Sequence, residues 1–226
     1  MRRPRGDGAE VYRTRDVPNA GLDWREAPFC AVDLELTGLN AKRDEIISFA
    51  AVPVEGGRVQ LGEIVAGYVR PGREMGEAAI RIHGIRPADL ERAQKAPEAL
   101  DPLFGALAGR IAIAHVADVE RPFLKRALRE VGVRMHRQII DTQQLGMLWN
   151  YEREGSLGPA RELAALADSL SLPVHRMHDA ATDALTTAQA FIALATLLSK
   201  SEPQTVGRLC GADRRVAALR VFAAHG

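Results

Sequence analysis

The sequence predicts an α/β fold in which a mixed β-sheet is flanked by α-helices. Three strand-like segments follow one another in the first third of the chain, and two short apolar strands come later between helical segments. Strands joined by a tight turn run antiparallel, whereas strands joined by a helical crossover run parallel, so one sheet should contain both directions. The 226 residues, 46% hydrophobic and 26% charged, are typical of one globular domain.

The early strands are predicted at Phe29–Leu36, 45–54 and 59–69. Gly56 and Gly57 separate the last two, and because glycine tolerates positive φ, these strands should form an antiparallel hairpin. Later strands are predicted at Ile111–Ala114 and 138–140. Proline tolerates the first turn of a helix, where its missing N–H costs nothing, and apolar residues elsewhere recur at helical spacing. These signals predict helices over residues 87–93, 97–108, 119–131, 142–151, 160–168 and 179–198.

The two ends of the chain differ from this central region. Residues 1–26 mix Arg, Asp, Gly and Pro without periodicity and are predicted to form a flexible N-terminal arm. Residues 27–199 form the predicted globular domain. Residues 200–226 are predicted to be a C-terminal tail with a short helix over 212–222.

Composition limits the location and the partners of the protein. The net charge of +1 argues against binding nucleic acid by bulk electrostatics, although a few local contacts could still hold it. Cys30 and Cys210 lie far apart in sequence, which suits a reducing compartment and predicts a cytoplasmic location. No segment is expected to have the length and apolarity of a membrane-spanning helix, and the charged N-terminus lacks the apolar stretch of a secretory signal.

Two acidic residues interrupt the first apolar strand. Asp33 and Glu35 are spaced i and i+2, so on a strand both carboxylates lie on the same face. Like charges so close repel each other and lose hydration, which a bound divalent cation would compensate. The alternative is an edge strand with a solvated acidic face.

Two further segments carry acids at the ends of predicted elements. Asp118 and Glu120 follow the short strand that ends at Ala114, where an open sheet commonly gathers site residues. His178 precedes Asp183 by five residues, so the two side chains would diverge by about 140° on a continuous helix. If His178 lies on the loop before the helix, it can turn back toward the same centre, and Asp179 is then the expected N-cap.

Together these segments resemble the DnaQ-like 3′–5′ exonucleases, the DEDDh group of the ribonuclease H-like superfamily. This family includes the exonuclease domain of the DNA polymerase III epsilon subunit. The resemblance covers about residues 28–198 and assigns 27–199 as the exonuclease domain. It rests on four motifs in order: Asp33-x-Glu35-x-Thr37-Gly38, Ile82-His83-Gly84-Ile85, His115-x4-Glu120-x2-Phe123-Leu124 and His178-x4-Asp183.

The second motif departs from the family pattern. The family usually has Asp where this chain has Glu120, and Asn where it has Val116. Asp118 is the rival candidate, but Glu120 keeps the family spacing to Phe123, and the two acids point about 200° apart on a helix. Glutamate reaches one methylene further and still offers a hard oxygen ligand.

The resemblance implies a two-metal-ion mechanism for cleaving phosphodiester bonds. Two divalent cations about 4 Å apart would neutralise the phosphate, activate a water and assist the departing 3′ oxygen. Oxygen ligands favour Mg²⁺ or Mn²⁺, held by Asp33, Glu35, Glu120 and Asp183. His178 is the expected general base, since imidazole titrates near neutral pH.

The resemblance also places Thr37, Leu39 and His83 near the terminal nucleotide of a single-stranded 3′ end. Their alternative roles are turn formation for Thr37 and Leu39, and loop packing for His83. Two functions follow: a metal-dependent 3′–5′ exonuclease on DNA or RNA, or a nucleic-acid-binding or scaffolding module that lost turnover through Glu120. Association with a polymerase is possible for this family, but no motif in this sequence supports it.

Other polar and aromatic residues are expected to have structural roles. His115 should orient or pack beneath the second motif, and Asp141 should cap a helix in preference to binding metal. Trp149 and Tyr151 are predicted to pack in the core or an interface in preference to stacking on a base. Surface positions are expected for two histidines, His136 and His175.

Overall fold

The computed structural model describes residues 5–136, 139–173 and 178–223 and shows a six-stranded mixed sheet with helices on both faces. His175 lies outside the described residues. The elements in chain order are α1 (Asp7–Thr14), β1 (Phe29–Leu36), β2 (Ile46–Glu55), β3 (Arg58–Val59), β4 (Val65–Tyr68), α2 (Glu77–His83), α3 (Pro87–Leu90), α4 (Ala96–Ala99), α5 (Asp101–Leu107), β5 (Ile111–Ala114), α6 (Ala117–Glu130), β6 (Ile139–Asp141), α7 (Thr142–Glu154), α8 (Leu163–Ser169), α9 (Ala180–Leu198), α10 (Val206–Cys210) and α11 (Ala212–Ala223).

The sheet has the order β3-β2-β1-β5-β6, and β4 also pairs with β2. β1 pairs with β2 in the antiparallel direction, while β5 runs parallel to both β1 and β6. This confirms the predicted mixed sheet. The parallel strands are connected through helices, as their shared direction requires.

The hairpin between β2 and β3 is confirmed. Val54 pairs with Val59, and Gly56 and Gly57 take φ values of 59° and 67°, as a two-residue turn with two left-handed residues requires. The single strand predicted over 59–69 is wrong, because the chain leaves the sheet as a 3₁₀ turn at Leu61–Glu63 and re-enters as β4. The exposed Gly62 at this turn lets the backbone bend away from the ladder.

The alternation of side chains along β1 divides the core into two layers. Cys30, Val32 and Leu34 point into the layer beneath α1, α5 and α6. Phe29 and Ala31 point into the layer that contains α9. Asp33 and Glu35 continue this second series, since residues two apart share a face.

α9 crosses the second layer alongside β1, and its packing places Asp183 at the same end of the layer as Asp33. Phe29 meets Phe191 with ring centroids 4.8 Å apart. Four strand residues from Phe29 to Asp33 span about 13 Å, and eight helical residues from Phe191 back to Asp183 span about 12 Å. Aromatic packing at one end therefore sets Asp183 opposite the acids of β1 at the other.

By length and composition alone, α9 could cross a membrane, so the expectation that no segment has these properties is wrong. Yet 56% of its apolar window is buried inside the protein, against β1 and β2. This helix is the central core element of the second layer.

Several helix predictions need correction. The helix predicted over 97–108 is two helices, α4 and α5, and the one predicted over 87–93 ends at Leu90. α2 and α10 lie outside every predicted element. The predictions over 119–131, 142–151, 160–168 and 179–198 each match one helix, with shifted ends.

The N-terminal segment is not a loose arm where the structure describes it. α1 packs on α5, burying Ala9 and Tyr12, and Trp24 is buried against Phe191. The carboxylate of Asp101 accepts hydrogen bonds from the Gly8 and Ala9 N–H groups at 2.9 Å each. The periodicity of one two-turn helix is too short a signal to find in the sequence.

The segment after residue 199 is likewise part of the domain. α11 occupies the predicted short helix and packs on α7. Val206, Leu209 and Val216 are buried in the second layer. The segment carries apolar residues at helical spacing, and these are enough to dock it.

We predict that Gly8→Ala separates α1 from α5. The added Cβ would lie 2.0 Å from the backbone oxygen of Asp101 and 2.9 Å from the Gly105 nitrogen. Alanine favours an isolated helix by about 1 kcal/mol over glycine, so a lower free energy of unfolding would reveal the lost docking. Urea unfolding measures it. Gly62→Ala, which has open space around its Cβ, is the control; equal effects of the two changes would contradict the prediction.

Candidate active site

Three carboxylates from two elements converge at the end of β1. Ligand oxygens of Asp33, Glu35 and Asp183 lie within 4.8 Å of one another. β1 supplies the first two from one face, and the first turn of α9 supplies the third. The predicted shared face of Asp33 and Glu35 is therefore confirmed, and a solvated acidic face is excluded because Glu35 is only 8% exposed and Asp183 only 6%.

Glu120 approaches the same place from α6, on the other side of the sheet. β5 pairs only with Phe29–Ala31 of β1, so the β5 side of β1 is open beyond that point. In this open stretch the Leu34 backbone lies close enough to the Glu120 carboxylate to lower its pKa, against the larger effect of burial. Only 6% of Glu120 is exposed, whereas Asp118 is exposed to solvent, which supports the choice of Glu120 over Asp118.

Asp141 fixes the loop that leads to Glu120. Its carboxylate accepts hydrogen bonds from the N–H groups of Gln143 at 2.8 Å, Ala117 at 2.9 Å and Val116 at 3.3 Å. It thus caps α7, as predicted, and also the start of α6. Val116 precedes α6 with φ 59° and ψ 58°, a left-handed conformation unusual for a β-branched residue. Asparagine, the family residue here, tolerates this conformation far better.

Burial and mutual repulsion raise the pKa of every acid in the cluster. Burial raises the pKa of Glu35 to about 7 and that of Glu120 to about 8, with neighbouring carboxylates adding to both shifts. The pKa of Asp33 lies well above its usual range, first through burial and then through Glu120, Asp183 and Glu35. Burial also raises the pKa of Asp183, against the opposing effect of His178.

The oxygens left without partners fit bound cations. Glu120 Oε2 and Asp183 Oδ1 are buried, and neither has a hydrogen-bond partner in the described structure. Buried acceptors without partners cost free energy, and a hard divalent cation would satisfy them and relieve the repulsion. Asp33, Glu35 and Asp183 could share one ion. Glu120 is close enough to Asp33 to raise the pKa of the Asp33 carboxyl. The donor set is all oxygen, as Mg²⁺ or Mn²⁺ prefers.

His178 lies on the loop before α9, where it avoids the divergence expected on a continuous helix. Its backbone N–H donates to Asp183 Oδ2 at 2.8 Å, and its φ is 62°. Asp179, the N-cap, accepts hydrogen bonds from Ala181 and Thr182, as predicted. The His178 side chain is exposed and close enough to His83 to depress the pKa of His83, after the larger effect of burial.

The Ile82-His83-Gly84-Ile85 signature is the end of α2. Gly84 takes φ 72° and ends the helix, a conformation that glycine adopts without strain. His83 Nδ1 accepts the Ile85 N–H at 3.0 Å, which leaves the Nε2 proton buried without a hydrogen-bond partner. His83 is 9% exposed. A glycine one residue after a short apolar run was the available sequence signal for this helix.

The loop after β1 is held by α6. Thr37 uses both its backbone and its hydroxyl to bind the Glu45 backbone, which supports its turn-forming role. Arg126, a residue that sequence reasoning missed, donates to the carbonyl oxygens of Ala41 and Asp44 at 2.6 Å each. Leu39 is 78% exposed and lines an open depression of about 790 Å³.

The expected structural roles of the other residues agree with their contacts. His115 Nδ1 meets the Thr142 hydroxyl at 2.9 Å and Nε2 meets the Arg161 carbonyl at 3.0 Å, which orients it beneath the second motif. Trp149 is buried in the second layer. Tyr151 is half-buried. By contrast, the surface position expected for His136 is wrong, because its ring packs at a tilt against Tyr12 with centroids 4.7 Å apart and its Nε2 is buried.

Comparisons with known proteins agree with this fold and site. The model of the exonuclease family called RNase_T matches residues 30–191. A DNA polymerase III PolC-type protein of Thermotoga petrophila is 32% identical over 203 residues, covering 85% of this chain and 14% of the relative. The DNA polymerase III subunit epsilon of Aquifex aeolicus is 26% identical, covering 74% of this chain and 80% of the relative.

Solved structures show the same fold. Exonuclease X, solved with 5′ overhanging duplex DNA, has a TM-score of 0.63 at 22% identity, covering 81% of this chain and 98% of that one. Exonuclease I of E. coli, solved with a dA16 oligonucleotide, has a TM-score of 0.65 at 15% identity, covering 76% and 42%. The chain therefore has the fold of these exonucleases. Since the family model matches more than half of the chain, the chain belongs to the RNase_T exonuclease family.

We predict that Val116→Asn stabilises the protein by about 1 kcal/mol, because a left-handed conformation costs a β-branched residue about 1–2 kcal/mol. Chemical unfolding measures the change. Val116→Thr, which keeps the branched Cβ, is the control and should give little gain. A neutral or destabilising effect of Val116→Asn would show that the loop is not strained at this residue.

A second prediction concerns pH. The folded state holds the Glu120 proton up to a pKa of about 8, compared with the ordinary 4.5. Between these values the unfolded state releases its proton first, so the free energy of unfolding falls as pH rises. In EDTA, the melting temperature should drop by more than about 3 °C between pH 5.5 and pH 8.

Glu120→Gln is the matched control for this pH effect. It keeps the shape of the side chain and has no proton to release, so its melting temperature in EDTA should fall less with pH and exceed that of the wild type at pH 8. Added Mg²⁺ should raise the melting temperature of the wild type more than that of Glu120→Gln. An identical pH profile for the two proteins would show that Glu120 is not the titrating group.

Proposed function

We propose that this domain is a metal-dependent 3′–5′ exonuclease that hydrolyses phosphodiester bonds at the 3′ end of single-stranded nucleic acid. The single observation that carries the proposal is the convergence of Asp33, Glu35 and Asp183 within 4.8 Å, with a buried, unpartnered oxygen on Asp183. An acidic site of this kind needs cationic compensation, and family membership supplies the reaction class.

Asp33, Glu35, Glu120 and Asp183 would hold two divalent cations, Mg²⁺ or Mn²⁺. When bound, the cations supply charge neutralisation for the phosphate and an activated water. Asp33 has all three other acids as electrostatic neighbours, so it is best placed to serve both ions. Glu120 would hold the position on the α6 side, where its carboxylate lies close to the Leu34 backbone.

His178 is proposed as the general base. Its side chain is exposed beside the cluster, and its backbone is fixed to one oxygen of Asp183, whose other oxygen is unpartnered. The imidazole would accept the proton of the attacking water, a role that needs a group titrating near neutral pH. Because the anchor is the backbone N–H, the ring can turn without losing it.

Substrate contacts are proposed for Thr37, Leu39 and His83. Leu39 is an exposed apolar side chain on the loop that follows β1, the strand that carries Asp33 and Glu35, and it could contact the terminal base. His83 has a buried Nε2 proton without a partner and lies close to His178, so it could donate to the terminal nucleotide. Thr37 holds the turn that presents Leu39.

The substrate is proposed to be DNA or RNA, because the named groups address phosphate and sugar. The chain spans 14% of the length of the PolC-type relative of Thermotoga petrophila and 80% of the epsilon relative of Aquifex aeolicus. We propose that activity resides in this domain without a polymerase. A cytoplasmic location is proposed from the free thiols of Cys30 and Cys210.

The binding or scaffolding module remains the second candidate, favoured by one observation: Glu120 lies outside the group of carboxylates within 4.8 Å. Turnover distinguishes the two. The module binds an oligonucleotide with Mg²⁺ or Mn²⁺ present and leaves it intact, whereas the exonuclease shortens it from the 3′ end.

We predict that the wild type degrades a 5′-labelled single strand into a ladder in Mg²⁺ or Mn²⁺ and is inactive in EDTA. His178→Ala should lower the rate by about 10²–10⁴-fold while keeping metal binding, because only proton transfer is lost. Asp33→Asn should lose both metal binding and activity. Matched DNA, RNA and dinucleotide substrates would identify the preferred one.

Metal binding is followed by the rise in melting temperature with Mn²⁺. Arg58→Ala, an exposed residue of β3 outside both the acidic site and its surrounding loops, is the control and should keep full activity. A wild type that binds the strand without shortening it would overturn the exonuclease assignment, and unchanged turnover in His178→Ala would remove His178 from the mechanism.

A further inference from the structure

A groove on the outer side of α6 has strongly positive walls. It has a volume of about 740 Å³ and is lined by residues of α6 and of the segment that follows it. The described lining contains four Lys or Arg side chains, one histidine and two apolar residues, with no carboxylate among them: Arg121, Lys125, Arg129, Val133, Arg134, Met135 and His136.

Several cations elsewhere on the protein are neutralised by ion pairs, whereas the groove lining that the structure describes contains no carboxylate. Arg13, Arg86 and Arg208 each pair with a carboxylate close in sequence. Lys125, Arg129 and Arg134 are exposed, and none has an ion-pair partner among the described residues. In a chain of net charge +1, such a local excess of positive charge indicates an anionic partner.

The spacing of these cations suits a nucleic-acid backbone. Arg121, Lys125 and Arg129 recur every four residues, so they form a stripe with a rise of about 6 Å per step. A stacked strand rises about 3.4 Å per nucleotide along its axis, so every second phosphate advances by about the same distance as each step of the cation stripe. Val133 and Met135 provide an apolar floor between the charges, which suits the face of a base or sugar.

The stripe also begins next to the acidic site. Arg121 follows Glu120 directly in the sequence. Arg129 lies nine residues after Glu120, which is about 14 Å along the helix. A strand whose 3′ end occupies the acids would have to be longer than two or three nucleotides to reach Arg129.

We propose that this groove binds the nucleotides upstream of the 3′ end of a single-stranded substrate. The proposal rests on the proposed exonuclease function and adds to it a length dependence. Substrates that reach the groove are held by phosphate contacts with Lys125, Arg129 and Arg134. Trinucleotides use the acidic site alone.

The test compares two triple variants of the full chain. Lys125→Ala/Arg129→Ala/Arg134→Ala removes the groove cations. Arg58→Ala/Arg92→Ala/Lys200→Ala removes the same charge from exposed residues outside the groove. Fluorescence anisotropy in EDTA measures affinity for a single strand of about 16 nucleotides at several salt concentrations. Degradation of a trinucleotide in Mg²⁺ is measured separately, and melting temperatures report folding.

The groove variant should bind the long strand at least about tenfold more weakly than the control variant. Its slope of log affinity against log salt should be lower by about 2, since each lost phosphate contact removes about 0.7. Trinucleotide degradation should be unchanged.

Equal affinities of the two variants for the long strand would overturn the proposed role of the groove. A loss of trinucleotide degradation in the groove variant as large as its loss of long-strand affinity would do the same. If the wild type neither binds nor shortens any strand, the proposed function itself fails. A wild type that is active and indifferent to the groove cations would leave that function standing and remove only the groove.

Discussion

The packing of β1 against α9 holds Asp33, Glu35 and Asp183 together despite the repulsion among their carboxylates. Burying like charges costs several kcal/mol per group before any cation binds. On the same two elements, Phe29 and Phe191 are fully buried and touch each other. A buried aromatic of this size contributes about 1.5–3 kcal/mol, so a few such contacts offset the strain of the acids. The apolar end of each element thereby stabilises its charged end.

The other half of the site depends on polar anchors in place of apolar packing. Asp141 caps α6 and α7 at once, so a single carboxylate aligns the loop that precedes Glu120. Arg126 binds two carbonyl oxygens of the loop that carries Leu39, and this couples α6 to the turn after β1. These anchors are charge-assisted hydrogen bonds, which depend on direction more than hydrophobic contacts do. The position of α6 therefore governs both Glu120 and the loop beside the acids.

Much of this arrangement could be predicted from the sequence, because it follows from periodicity. The spacing of Asp33 and Glu35 determined their common face, and the β2–β3 hairpin followed from its two glycines. What escaped prediction depends on contacts between distant residues. α1 is too short to be recognised alone and is ordered by Asp101, 93 residues away from Gly8. The role of Arg126 likewise requires knowing which loop lies opposite, which local sequence does not contain.

Glu120 illustrates why a longer side chain can serve where the family has aspartate. β5 ends before β1 does, and this leaves the Leu34 backbone N–H on the side of β1 that faces Glu120 of α6. The Glu120 carboxylate lies close to this N–H, and its Oε2 is buried without a hydrogen-bond partner in the described structure. Glutamate reaches one methylene further than aspartate and still offers a hard oxygen ligand. The substitution is therefore compatible with a cation site, because the longer side chain reaches the open edge of β1 and keeps an oxygen available for a cation.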